Sequence, residues 1–225
     1  MSRARPRVTL KLATSLDGRI ALASGASKWI TGEKARDAVH RLRADHDAVL
    51  TGSGTVLADD PAMTARPNGT LSKRQPKRVI LDSRLSTPPG AALFDQPGGG
   101  SVIVFTTQSD PLAREALETS GAQVRRVEPD AQGRPAWSGV LAALAQIGAG
   151  SVMIEAGGRI AASAIQAGVV DRIEWFRAAK LIGGDAIAAI AALGLEALAD
   201  APTFRRVKLR EVGDDLWESY QRGAG

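Results

Sequence analysis

The hydrophobic pattern of this chain changes period repeatedly from one end to the other. Val8-Thr9-Leu10-Lys11-Leu12-Ala13 alternates with period two and predicts a strand. Thr31 is placed to cap a helix in which Ala35, Ala38, Val39 and Leu42 recur at helical spacing, closing at Arg43. Short apolar runs predict strands over 47–51, 78–82, 101–105 and 151–154, with a weaker one over 123–127. Helices are predicted over 113–119, ending at Gly121, and over 138–147 and 160–166. Strands over 172–178, 205–212 and 216–221 complete the series, the last two as a hairpin through Gly213-Asp214-Asp215.

Strands alternating with helices predict an α/β fold with a mixed, mostly parallel sheet flanked by helices and a C-terminal antiparallel hairpin. The segments 60–77 and 84–100, rich in Pro, Gly and polar residues, read as surface excursions. With no internal repeat and no clear boundary, residues 1–225 are expected to form a single domain.

Composition mainly excludes. At 44% hydrophobic and 24% charged, the chain has the balance of a soluble globular protein. No apolar run reaches the length of a membrane span. The start, Met1-Ser2-Arg3-Ala4-Arg5-Pro6, is basic but lacks the apolar core of a signal peptide, so a cytoplasmic location is expected. Cysteine is absent, and His40 and His46 are too far apart to share a helix face, so no metal site is expected. A net charge of +5 suits a phosphorylated ligand as well as nucleic acid. The basic residues are scattered and form no aromatic-studded stripe, which favours the small ligand.

Candidate chemistry collects at predicted strand exits, where ligands of open α/β sheets sit. Glu155 ends the 151–154 strand, and Gly157 and Gly158 would let the backbone turn sharply and approach a ligand. The amides opening the next helix have no intrahelical partner and the helix dipole favours an anion, which together make a cradle for a pyrophosphate. A plain strand-to-helix turn is the simpler account of the glycines alone, and the spacing of a Rossmann fingerprint is absent here and at Gly52-Ser53-Gly54. Thr51 to Pro61 forms a second glycine-rich exit, and Leu81-Asp82-Ser83-Arg84 a third. Lys11, inside a strand, needs a partner, a cleft or an edge position. Trp29 read alone suits a core anchor, Arg43 the end of a helix, and Asp59-Asp60-Pro61 a turn.

Taken in order, "TLKLATSLDGRIA", "SGASKWIT", "LRADHDAVLTGSGTVLADDPAMTAR", "RVILDS", "IEAGGRIAASAIQAGVVDRI" and "AAKLIGG" resemble the pyrimidine reductase domain of bacterial riboflavin biosynthesis. The resemblance runs from about Arg5 to the C-terminus and is weakest near 66–77 and 84–137. It implies a dihydrofolate-reductase-like fold, NADPH as hydride donor, a homodimer, and 5-amino-6-(5-phosphoribosylamino)uracil as substrate. The zinc-binding deaminase motif that usually precedes this domain is missing, so a free-standing reductase served by a separate deaminase is expected.

By matching position, the resemblance assigns cofactor contacts to Ala13, Trp29, Thr55, Asp59, Ser83 and the segment Gly157, Gly158, Arg159, Ile160, Ala161, Ala162, Ser163. Ser83, with Arg84, would meet the adenosine 2′-phosphate. Substrate contacts fall on Ser27, Arg43, Met63, Arg66 and Glu155, with Arg43, Arg66 and Ser27 assigned to the phosphate because a guanidinium matches it in charge and geometry. Lys11 and Asp17 are candidates for proton transfer or polarisation beside Glu155. Met63 replaces a usual leucine, and Arg159 a usual small or hydroxyl residue. Two other readings remain open: a same-fold reductase of a pterin or another pyrimidine, and a nucleotide-binding protein without turnover.

Overall fold

The computed structural model describes residues 5–96, 98 and 100–223. Its strands are β1 (Arg7–Thr14), β2 (Arg19–Ala21), β3 (Ala48–Gly52), β4 (Lys77–Leu81), β5 (Val102–Thr106), β6 (Ala122–Arg126), β7 (Ser151–Ile154), β8 (Arg172–Arg177), β9 (Ile187–Ala188), β10 (Phe204–Val212) and β11 (Asp215–Arg222). The helices are α1 (Glu33–Asp45), α2 (Ser53–Asp59), α3 (Pro111–Thr119), α4 (Trp137–Gln146) and α5 (Gly158–Gln166). The chain divides into two compact units: one holds His40–Ala156 and the residues up to Arg7, the other Val8–Val39 and the residues from Gly157 on.

The first unit is built on parallel strands in the order β7-β3-β4-β5-β6. All five residues of β3 and of β5 are buried, as expected for parallel strands covered on both faces. Ile80, Val102, Val104, Leu117 and Val124 form its core with Leu85, Ala91 and Leu93. Those last three come from the 84–100 segment, which is therefore anchored and not a surface excursion. Likewise Met63, Thr64 and Ala65, in the 60–77 segment, are buried. The dense Pro, Gly and polar composition hid these isolated apolar anchors. At α3, Asp110 accepts from the amides of Leu112 and Ala113, Pro111 opens the first turn, and Gly121 leaves with φ 92.

In the second unit β1 runs parallel to β8, and β8-β11-β10 continue antiparallel. Phe176 of β8, fully buried, stacks on Trp217 of β11 with ring centroids 4.9 Å apart. β2 and β9 pair as a separate two-stranded ribbon. They are too short to show a period, which is why the pattern misses them. α1 begins at Glu33, one residue later than Thr31 capping requires, and the amide of Gly32 instead donates to Asp215 at 2.6 Å.

Candidate active site

Glu155 follows β7, and its amide donates to the carbonyl of Leu50 at 2.8 Å, extending the β3–β7 ladder by one step. Arg43 lies in the last turn of α1. The two meet fork to fork: Arg43 Nε donates to Glu155 Oε2 at 2.9 Å and Nη2 to Oε1 at 3.0 Å. Arg43 Nη1 also donates to the carbonyl of Thr64 at 3.0 Å. The side chains keep only 15% and 20% exposure, so the pair is shielded enough to hold a fixed geometry.

The turn at 63–66 is held from three directions. Arg43 and His40 Nδ1 both reach the Thr64 carbonyl, the latter at 3.2 Å, and the Arg66 amide also lies 3.2 Å from His40 Nδ1. Gln75 brackets Ala65, accepting from its amide at 2.9 Å and donating to its carbonyl at 2.8 Å. Burial, reinforced by the Arg43 and Arg66 charges, pushes His40 below the usual histidine range, against the Thr64 carbonyl and Glu155, which raise it. Sequence reading passed over His40, although it stands three residues before Arg43 and so on the same helix face.

This geometry revises the predicted phosphate clamp. Arg43 already gives three N–H groups to protein acceptors and carries its own counter-charge, so it orients Glu155 and is not an open anion site. Arg66 gives Nη2 to Gln96 Oε1 at 2.9 Å and remains half-buried at the turn. Met63, predicted as an apolar substrate contact, is 3% exposed and packs with Val49, Met153 and Leu42. Its side chain belongs to the core, and its left-handed φ of 53 leaves only its backbone to meet a ligand.

Elsewhere in the first unit, Thr55 is half-buried on α2 and Asp59 exposed at its end. The pattern missed α2 because Gly52-Ser53-Gly54 reads as loop. Ser83 follows β4, half-buried, with its carbonyl accepting from Thr107 Oγ1 at 3.3 Å, and Arg84 is exposed.

In the second unit Asp17 is tied down. It accepts from Ser15 Oγ and from the amides of Ile182 and Gly183, the last at 2.8 Å. The Ser15 hydroxyl first, then these amides, lower its pKa to about 2. It is thus ionised at neutral pH and a poor base, so proton donation by Asp17 does not fit, and its work is to hold the 180–183 loop. Lys11 is half-buried on β1, opposite Glu174 in the β8 register. Ala13 is half-buried opposite Phe176. Ser27 is half-buried in the 22–30 loop. Trp29 is no core anchor: it is 66% exposed with φ 73. Its ring lies under Arg36, 4.2 Å from the guanidinium carbon, and its carbonyl accepts from Lys180 at 2.8 Å.

The glycines at α5 do two different jobs. Gly157 has φ −68 and ψ 168, an ordinary extended conformation, and a Cβ there would meet nothing within 4 Å. The open space, not an unusual φ, is what permits close approach. At Gly158 a Cβ would lie 2.5 Å from the Ala188 carbonyl, so that glycine serves packing against β9. No side chain caps α5. The amides of Ile160 and Ala161 bond the Gly157 carbonyl, and Ala161 and Ala162 are buried. The amides that can meet an anion therefore narrow to Gly157, Gly158 and Arg159. Ser163, half-buried, lies a turn further in. Exposed Arg159 stands where the helix dipole disfavours a cation, a position that suits an anionic ligand. An uncapped helix start with open space before it and an exposed arginine in its first turn fit the pyrophosphate of a dinucleotide. Among the described residues no cluster of His, Asp and Glu could hold a metal ion, and no helix is long and apolar enough to cross a membrane.

The family model of the RibD C-terminal domain matches residues 6–217. The riboflavin biosynthesis protein RibD of Escherichia coli is 40% identical over 224 residues, covering 94% of this chain and 58% of its own length. The chain thus spans little more than half of that relative. Among solved structures, RibD of Acinetobacter baumannii superposes with a TM-score of 0.82 at 32% identity, covering 98% of this chain and 59% of the other. A protein of Thermotoga maritima described as a diaminohydroxyphosphoribosylaminopyrimidine deaminase/5-amino-6-(5-phosphoribosylamino)uracil reductase does so at 0.77 and 29%, covering 97% and 57%. A dihydrofolate reductase of Enterococcus faecalis, at 14% identity and TM-score 0.50, shares the fold alone.

Proposed function

The chain belongs to the RibD C-terminal domain family, and we propose that it catalyses the NADPH-dependent reduction of the ribosyl group of 5-amino-6-(5-phosphoribosylamino)uracil to the ribitylamino product. The observation that carries this reading is the Arg43–Glu155 fork beside the stapled 63–66 turn. It presents a carboxylate of fixed plane next to an arginine with donors to spare.

In this reading the closed ribose opens to an imine at C1′, and NADPH supplies the hydride that reduces it. Arg66 would hold the 5′-phosphate, to which the resemblance also assigns Ser27. Glu155, locked by Arg43, accepts hydrogen bonds from ribose hydroxyls or the pyrimidine and fixes the reacting carbon. Lys11, a half-buried residue of β1, is the remaining candidate for moving a proton. The resemblance would put the first-turn amides of α5 with Arg159 on the pyrophosphate, Trp29, Ala13, Thr55 and Asp59 along the cofactor, and Ser83 with Arg84 on the 2′-phosphate. A cytoplasmic homodimer belongs to the same proposal.

The test is NADPH oxidation, followed by absorbance, with the phosphoribosylamino pyrimidine in deaminated and undeaminated form. Turnover of the deaminated form supports the proposal. NADPH binding without oxidation of either form, or turnover of a pterin alone, overturns it.

A further inference from the structure

Asp82 is fully buried at the exit of β4, yet its carboxylate is completely occupied by the loop that follows it. Oδ1 accepts from the Arg84 amide at 3.3 Å and from Ser86 Oγ at 3.0 Å. Oδ2 accepts from the Thr87 amide and from Thr87 Oγ1, both at 2.7 Å. Burial alone would raise this carboxyl, but the bonds from Thr87, Ser86 and Arg84 outweigh it and hold it below the usual range, as an anion. Asp82 is itself fixed, because its amide donates to the Phe105 carbonyl at 2.9 Å and so continues the ladder toward β5.

The loop so gripped is short and strained. Leu85 takes φ 56, a left-handed conformation costly for leucine, while its side chain is buried in the core of the first unit. Thr107 Oγ1 pins the Ser83 carbonyl from outside. One buried carboxylate and one buried leucine thus leave two polar side chains outward: Ser83, half-buried, and Arg84, exposed. Among the described residues the Arg84 guanidinium has no side-chain partner. A rigid turn carrying an unpartnered guanidinium and a hydroxyl at a parallel-strand exit is built to receive an anion.

We propose that Asp82 is a positioning residue for cofactor selection: its carboxylate sets the Ser83–Arg84 turn so that the turn discriminates a 2′-phosphorylated dinucleotide from the unphosphorylated one. This rests on the assignment of Ser83 and Arg84 to the 2′-phosphate. Asp82 itself touches no ligand. It acts by holding two donors where a phosphate needs them, so its loss lowers affinity for the phosphorylated form and leaves the rest of the dinucleotide's contacts alone.

The experiment measures dissociation constants of NADPH and NADH by fluorescence titration, without turnover, for wild type, Arg84→Ala, Asp82→Asn, Thr87→Val and Thr87→Ser. Wild type is expected to prefer NADPH by about 10-fold or more, the size of one charge-assisted contact, and Arg84→Ala to remove most of that preference. Asp82→Asn keeps the shape of the side chain but replaces one acceptor oxygen with a donor. It should cut the NADPH/NADH preference by about 10-fold while NADH affinity stays within about twofold. Thr87→Val, which removes one of the four donors, should move the ratio in the same direction by less, and Thr87→Ser should restore it. General loosening would weaken both nucleotides together and leave the ratio in place. Equal wild-type affinities would remove the 2′-phosphate assignment itself. A wild-type preference lost in Arg84→Ala but kept in Asp82→Asn and Thr87→Val would overturn the role of Asp82 alone. Should Asp82→Asn fail to fold, Thr87→Val, which leaves the carboxylate in place, decides by the same ratio.

Discussion

Arg43 and Glu155, 112 residues apart in sequence, form a two-point fork at 2.9 and 3.0 Å, with the third Arg43 nitrogen closed onto the Thr64 carbonyl. A fork of this kind fixes the plane of the carboxylate as well as its position. It also means that the two residues act as one unit, so neither can be tested alone without disturbing the other.

Removing Arg43 takes away the two-point fork that holds a largely shielded carboxylate. Arg43→Ala should therefore cost about 2–4 kcal/mol of folding stability, at the lower side of what broken buried pairs lose because some water reaches this one. Glu155→Gln, which keeps a hydrogen-bonding group in place, should cost less and yet reduce turnover sharply with NADPH affinity nearly unchanged. Urea denaturation of both single variants and the double variant gives the coupling, expected at about 1–3 kcal/mol. Strictly additive losses would show that the fork contributes nothing as a pair.

Arg66 tests the substrate phosphate. Arg66→Ala should lower kcat/KM by about 10- to 150-fold, mainly through KM, since one charge-assisted contact contributes about 1.5–3 kcal/mol. NADPH affinity should hold. A substrate without its 5′-phosphate should bind wild type poorly and be indifferent to the change. Equal damage with both substrates would mean that Arg66 shapes the turn and does not hold a phosphate.

The two glycines before and within α5 separate packing from binding. Gly158→Ala drives a Cβ to 2.5 Å from the Ala188 carbonyl and should lower the melting temperature by several degrees. Gly157→Val meets open space at an ordinary φ, so the fold should persist while NADPH affinity falls. Retained NADPH affinity in a folded Gly157→Val variant would place the pyrophosphate elsewhere.

Much of this was legible in the sequence, and what was not has physical causes. The long periodic elements stood out because burial on one or both faces writes itself into the pattern: β1, β3, β5 and α4 are examples. β2 and β9, three and two residues long, carry no period to read. Arg43, Glu155 and Arg66 were each picked out as site candidates, but their pairing was misjudged. Two arginines suggest a shared anion by charge alone, and only the fold reveals that one is already neutralised by a carboxylate. Met63 was assigned to the substrate by matching position alone, which cannot show that its side chain packs in the core and leaves only its left-handed backbone for a ligand. Gly158 looked like a ligand glycine, and the carbonyl that requires it comes from β9, a strand the pattern does not show.

His40 adds a pH dependence whose sign follows from its surroundings. The groups facing it are Arg43, Arg66, Glu155 and the Thr64 carbonyl, and burial with the two arginines prevails, lowering its pKa from 6.5. The folded state then binds this proton less readily than the unfolded one. By linkage, stability rises with pH wherever the unfolded chain holds more protons. The stabilisation attached to neutral His40 is therefore fully present above the unfolded value and is lost as pH falls from there through the folded pKa. The slope for one proton is at most about 1.4 kcal/mol per pH unit, and less for a half-buried ring. The aspartates with lowered pKa, Asp17, Asp47, Asp82 and Asp130, lose their contributions only below about pH 4 and leave this window clear. Protonation also fixes which partner Nδ1 serves: in the neutral Nε2–H tautomer it accepts from the Arg66 amide, whereas in the charged ring it can only donate to the Thr64 carbonyl. Wild type should thus lose more stability between pH 7.5 and 5.5 than His40→Asn, by a few tenths to about 1 kcal/mol in urea denaturation. Over the same range KM for the phosphorylated substrate should rise in wild type more steeply than in His40→Asn, because the Arg66 turn loses its acceptor. Parallel stability curves with parallel KM profiles would reduce His40 to an ordinary helix residue with no hold on the turn.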